Sequence, residues 1–198
     1  MSPVFVVQRH DATNLHFDLR LEVEGTLVSW AVPKGPSLDP AVKRLAHRVE
    51  DHAMSHVDYE GRIGDGHGAG TVIVWDTGEF ENVTQRDGVP VDAATALAAG
   101  HLKVVLHGRK LTGAFALTHT RMGGDEANWL LVKVDDEHAD RTTDLTATRN
   151  ESVRPSPGGA WDEVVRLRRG RRSSGRSAPT RCASRSGPWS GRRARRPP

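Results

Sequence analysis

Apolar and polar residues alternate with a period of two through several short stretches of this chain, the pattern of half-buried β-strands. The clearest is His16-Phe17-Asp18-Leu19-Arg20-Leu21-Glu22, where a strand sends Phe17, Leu19 and Leu21 to one face and His16, Asp18, Arg20 and Glu22 to the other. Further β-type runs are predicted over residues 4–8, 16–23, 27–32, 71–75, 102–107, 111–118 and 129–134, separated by glycine-rich turns. This spacing predicts a mostly-β fold, an antiparallel barrel or sandwich. Helical signals are few. Asp39 and Pro40 suit the cap and first position of one helical turn over 39–45, and the alanine-rich run 91–99 predicts a second short helix ending at Gly100. No internal repeat is visible.

At 198 residues with 36% hydrophobic content, one domain with a buried core fits the chain. No run of 18 apolar residues exists and the N-terminus has no signal-peptide pattern, so the expected location is cytoplasmic, away from any membrane. The lone cysteine, Cys182, sits in an arginine-rich context and is expected to be a bystander. Charge divides the chain. Residues 1–150 hold 15 basic and 22 acidic residues, a net of −7, whereas residues 151–198 hold 13 arginines against 3 acids. The first segment is expected to be the folded domain. The second, rich in Arg, Ser, Gly and Pro, is expected to be a disordered basic tail able to attract phosphates.

The candidate chemistry lies between residues 10 and 52. An imidazole, a carboxylate and a guanidinium in one row are the groups that hold a divalent metal beside an anionic oxygen. His10 falls six residues before His16, and an extended 48–52 brings Glu50 and His52 to one face. Imidazole and carboxylate together suit Mn²⁺, Fe²⁺ or Zn²⁺. The glycine-rich stretch 60–71 lacks a P-loop lysine and predicts a tight connection. His101, His107 and His119 have no ligand-like neighbours and are expected to be structural or surface residues.

These segments resemble the 3′-phosphoesterase domain of bacterial ATP-dependent DNA ligase D. The resemblance rests on FVVQRHDATNLHFDLRLE, SWAVPKGPSLDPAVKRLAHRVEDH, EGRIGDGHGAGTVIVWDTG and, less strongly, GRKLTGAFAL with NWLLVK. It implies a β-barrel-like core and a Mn²⁺-dependent activity, with Co²⁺ as another candidate ion. A phosphodiesterase step removes a 3′-terminal ribonucleoside, and a phosphomonoesterase step removes the 3′-phosphate left behind. Carried onto matching positions, His10, Asp18 and His52 are the expected metal ligands. His16, Arg20 and Arg44 are expected on the scissile phosphate, His16 also as a proton donor, with Glu50 a further active-site carboxylate. Implied partners are DNA 3′ ends, especially a primer–template ending in a ribonucleotide or 3′-phosphate, and a separate ligase or polymerase. Family members carry an N-terminal arm ahead of the first strand that supports the monoesterase step, whereas here Met1 stands almost on that strand. His56 and His67 occupy positions where relatives have tyrosine. Two other readings fit some of these residues: a two-histidine-one-carboxylate Fe²⁺ and 2-oxoglutarate oxygenase, and a catalytically weak module that binds DNA ends for a ligase.

Overall fold

The computed structural model describes residues 2–64, 69–120, 122–148 and 150–154. Eleven strands follow in chain order: β1 (Val4–Asp11), β2 (Leu15–Val23), β3 (Thr26–Val32), β4 (Lys43–Ala53), β5 (Gly61–Ile63), β6 (Gly70–Asn82), β7 (Gln85–Arg86), β8 (Val89–Pro90), β9 (His101–His107), β10 (Thr112–His119) and β11 (Asn128–Lys133). Eight of them close an antiparallel barrel in the order β1-β2-β3-β4-β11-β10-β9-β6, because β1 pairs with both β2 and β6. Closure leaves no free sheet edge within the barrel. β5 extends the first half of β6, and β7 with β8 forms a separate small hairpin. Among the described residues no helix is long and apolar enough to cross a membrane.

Local sequence explains the connections. β2 turns into β3 through Glu24 and Gly25, both at positive φ, the two-residue turn whose twist matches that of flanking strands. α1 (Ala93–Ala98) begins at Asp92, whose side chain accepts from the Thr95 amide, and ends before Gly100 at φ +79. α2 (Leu145–Thr148) is a single turn. β6 is long enough to serve β5, β1 and β9 in succession. At Gly78 a Cβ would lie 2.1 Å from the His107 carbonyl, so a bare glycine is what allows β9 to approach there.

The inward-facing residues fill the barrel, with Phe5, Phe17, Trp30, Trp75, Phe80 and Phe115 nearly or completely buried. Phe17 meets Trp75 edge-on at 5.2 Å and Trp30 meets Trp129 at 5.8 Å. Each such side chain contributes about 1.5–3 kcal/mol by burial. A smaller cluster of Val4, Val6, Leu27, Met54, Val57, Val74 and Val153 packs on the outer face of the same wall.

One expectation changes. The predicted helical turn over 39–45 is a tight turn followed by a strand: Val42 N–H donates to the Asp39 carbonyl and Ala41 N–H to Asp39 Oδ1, after which β4 begins at Lys43. Asp39 caps as its chemistry suggests, but β4 gains hydrogen bonds to both β3 and β11, which outweigh the local helical preference. Residues 150–154 pack against the barrel. Val153 is buried and its N–H donates to the Val74 carbonyl, while Lys110 Nζ donates to the Glu151 carbonyl. Residues 155–198, with Cys182 and most of the expected tail, lie outside the described residues, as does His67.

Candidate active site

Strand alternation fixes where the site lies. Phe17, Leu19 and Leu21 enter the core, so His16, Asp18 and Arg20 point to the outer face of the β1–β4 wall. β1 matches this register, placing His10 opposite His16 and Gln8 opposite Asp18. Although outward-facing, Gln8, His10, Asp18 and Arg20 are no more than 8% exposed. The segment after β4 folds over them, held by Gln8 Nε2, which donates to the carbonyls of His56 (3.0 Å) and Tyr59 (2.9 Å).

Ligand atoms of His10, His16 and Asp18 lie within 4.8 Å of one another. His10 Nδ1 is 3.9 Å and His16 Nε2 3.7 Å from the Asp18 carboxylate. His16 Nδ1 lies 2.9 Å from the Asn14 carbonyl, and donating there leaves the lone pair of a neutral ring on Nε2, the nitrogen nearest Asp18. Two imidazoles and a carboxylate with a fixed tautomer fit a divalent transition metal.

Arg20 organises the other half of the site. Its Nε donates to Gln8 Oε1 (2.8 Å), Nη1 to Ser29 Oγ (2.9 Å) and Nη2 to Asp18 Oδ2 (3.1 Å). Burial pulls its pKa down and Asp18 opposes that; a guanidinium stays cationic nonetheless. Nη1 also approaches His52 Nδ1 at 2.8 Å, and the Glu50 carbonyl lies at the same distance from that nitrogen. The two contacts compete, since Nδ1 accepts from Arg20 only in the tautomer protonated on Nε2. Burial, then the Arg20 charge, hold the His52 pKa below the usual histidine value. With a donor that does not deprotonate beside it, neutral His52 accepts through Nδ1 and carries its proton on Nε2.

An open pocket of about 470 Å³ lies against these groups, with Val49, Tyr59, Ile63 and Val72 as its apolar side and His56 and Glu50 also lining it. His56 stacks edge-on near His52 at 5.2 Å. Glu50 is exposed. A β-bulge between Leu27 and Ser29 puts an extra residue into β4 and turns both Val49 and His52 to the pocket.

The structure thus gathers His10, His16, Asp18, Arg20, Glu50 and His52, but Arg44 stands apart. Arg44 shares the inward phase of β4 with Ala46 and lines clefts beside Pro33, Lys34, Ser37 and Asp144, not the pocket. It also groups His16 with the metal-competent donors, where the sequence reading puts His52. Sequence reasoning missed Gln8 and Ser29. Gln8 had a signal: a polar residue in an apolar strand, two positions before His10. Replacing Gln8 by leucine is expected to lower whatever turnover the pocket supports about 10–100-fold, as loss of an orienting partner does, with cooperative thermal unfolding retained.

The fold and site define a closed antiparallel barrel that carries a polar site on its outer wall, with two imidazoles and a carboxylate that could hold a metal ion beside a buried guanidinium. More specifically, the chain belongs to the DNA ligase D 3′-phosphoesterase domain family, whose family model matches residues 8–119. It is similar to the multifunctional non-homologous end joining protein LigD of Pseudomonas aeruginosa, 52% identical over 136 residues, covering 68% of this chain and 15% of that protein. The LigD protein of Mycolicibacterium smegmatis is 39% identical over 143 residues, 71% of this chain and 18% of that one. The multifunctional non-homologous end joining DNA repair protein LigD of Mycobacterium tuberculosis is 42% identical over 127 residues, 64% of this chain and 15% of that one. The chain therefore spans less than a fifth of the length of these relatives.

Proposed function

We propose that the chain is a metal-dependent phosphoesterase that processes DNA 3′ ends for repair by end joining in the cytoplasm, removing a 3′-terminal ribonucleoside and then the 3′-phosphate. The observation that carries this reading is the guanidinium of Arg20, buried and aimed at the pocket directly beside the His10–His16–Asp18 donor set. Mn²⁺ is the proposed ion, with Co²⁺ as a substitute; when bound, it supplies Lewis-acid polarisation of a phosphoryl oxygen and a bound water of lowered pKa. His10, His16 and Asp18 would hold it, a sorting that exchanges the roles which the family resemblance suggested for His16 and His52.

In the diesterase step a water oxygen bonds to phosphorus and the P–O5′ bond of the terminal nucleoside breaks. The 5′ oxygen takes a proton, and the strand keeps a 3′-phosphate. Arg20 neutralises charge that builds on the equatorial oxygens, held in place by Gln8, Asp18 and Ser29 so that little reorganisation is needed. Neutral His52, with its hydrogen on Nε2, can hydrogen-bond to the leaving oxygen, whose proton comes from solvent water. The Val49, Tyr59, Ile63 and Val72 side of the pocket suits an uncharged nucleoside. A DNA ligase or polymerase acting on the product is the proposed partner.

The test is product mapping on a 5′-labelled primer–template with one 3′-terminal ribonucleotide, with Mn²⁺ or EDTA. Loss of the terminal nucleoside with Mn²⁺, and its absence with EDTA or in His16→Ala, is the expected result. Binding without any cleavage would replace the enzyme by an end-binding module.

A further inference from the structure

A second depression opens beside the ends of β3 and β4. This cleft, of about 570 Å³, is lined by Pro33, Lys34, Lys43, Arg44, Leu45 and Leu130, three cations and no carboxylate. The register shows how close it is to the site. His10 pairs with His16, and Leu45 with Leu130. Phe17 pairs with Val32, and Pro33, directly after β3, lines the cleft together with Leu45. The cleft therefore lies on the wall that carries the donor set, next to the β2–β3 end of the site.

Chemistry separates the two depressions. The pocket sets its one guanidinium, Arg20, against Asp18 and has Glu50 at its rim. The cleft concentrates Lys34, Lys43 and Arg44 in a body whose first 150 residues carry a net charge of −7. Arg44 Nε is buried with no hydrogen-bond partner among the described residues, and Arg44 also lines the adjoining cleft that contains Asp39 and Asp144. Between the cations lies an apolar strip, Leu45 being 40% exposed. Apolar surface edged by cations suits a nucleic-acid strand, with bases or sugars on the strip and phosphates on the rim.

We propose that this cleft holds the DNA strand on the 5′ side of the scissile phosphate, while the terminal nucleoside occupies the pocket. This rests on the 3′-end phosphodiesterase reading. In-line displacement puts the attacking water and the leaving 5′ oxygen at the two apices and keeps the strand's 3′ oxygen equatorial, so the strand departs from phosphorus in a different direction from the nucleoside. The uncharged leaving nucleoside meets the pocket's apolar side and the polyanionic strand meets the cations.

The test uses the full chain with Mn²⁺ and two substrates, the primer–template with a 3′ ribonucleotide and bis(p-nitrophenyl) phosphate. Lys43→Glu and Leu45→Glu are the variants, with exposed Arg86→Glu on the β7–β8 hairpin as a charge control. Lys43→Glu is expected to raise KM for the primer–template several-fold and to reduce the salt slope of DNA binding by about 1. Leu45→Glu should raise the same KM, and both should leave hydrolysis of the small diester unchanged. Unaltered DNA parameters in both variants, or an equal loss in Arg86→Glu, would overturn the cleft. Wild type that cleaves neither substrate would overturn the phosphodiesterase reading itself.

Discussion

Replacing Asp18 by asparagine is expected to lower metal-stimulated turnover by a factor of about 10³ or more. The substitution keeps the side chain's shape and leaves an amide oxygen for Arg20 Nη2, but it removes the one anionic donor from the cluster with His10 and His16. Lewis-acid assistance contributes several kcal/mol, and about 1.4 kcal/mol is a factor of ten in rate. Asp18 is also the counter-ion of a guanidinium whose side chain is 8% exposed, so thermal unfolding has to be followed alongside activity. Calorimetric Mn²⁺ titration separates the roles. Asp18→Asn should lose metal binding and turnover together. Arg20→Lys should bind metal normally yet lose about 10²–10³ in kcat, since an ammonium cannot bridge Gln8, Ser29 and Asp18 at once. His52→Ala should also keep the metal. If His52→Ala abolishes metal binding while His16→Ala does not, the donor set is His10, Asp18 and His52, as the family resemblance first suggested.

Much of this site is legible in the sequence because one strand carries it. The strict alternation of residues 16–22 puts His16, Asp18 and Arg20 on one face without any tertiary information, and the structure keeps that face together. The barrel is legible for the same reason: seven of its strands carry a local apolar pattern between turn signals. β4 is the exception. Its residues include three cations and two histidines, and only Ala46 is buried. What makes it a strand is pairing with β3 and β11, and β11 lies some 80 residues later in the chain. Period-two reasoning over residues 48–52 brings Glu50 and His52 to the site, and both line the pocket. The proposed sorting of His16 and His52 rests on contacts that no local pattern shows, a bulge in β4 before His52 and Arg20 Nη1 at 2.8 Å from its Nδ1. Phase also places Arg44, which lines the neighbouring clefts and not the pocket. It sits two residues before the inward-facing Ala46, and no local pattern marks which side of an unrecognised strand it takes.

The largest stability effect is expected far from the pocket, at the other end of β11. Lys133 occupies an inward position of that strand and its side chain is completely buried. Its ammonium donates to the carbonyls of Ala114 and Val134 and makes a short contact with Asp136 Oδ1. Asp136 also accepts the amides of Ala114 and His138. Burial pushes the Asp136 carboxyl up, but the Lys133 contact and these amides hold it below its ordinary value overall. Asp136→Asn leaves one amide oxygen where two anionic oxygens served, and it strands a buried cation. Breaking such a pair costs about 3–5 kcal/mol, and the partial exposure of Asp136 favours the lower figure. For a body of this size that is a fall in Tm of roughly 10 °C. Combining Asp136→Asn with Lys133→Met should restore most of it, because no buried charge is then left unpaired. The pH dependence has a definite sign. A carboxylate whose folded pKa is depressed stabilises fully above its unfolded value of about 3.9, and that stabilisation is lost as pH falls through the folded value. Urea unfolding of wild type and Asp136→Asn should therefore differ most near neutral pH and converge only below the ordinary carboxylate range. A difference that persists unchanged into that acid range would mean that Asp136 acts through shape and hydrogen bonding instead of charge.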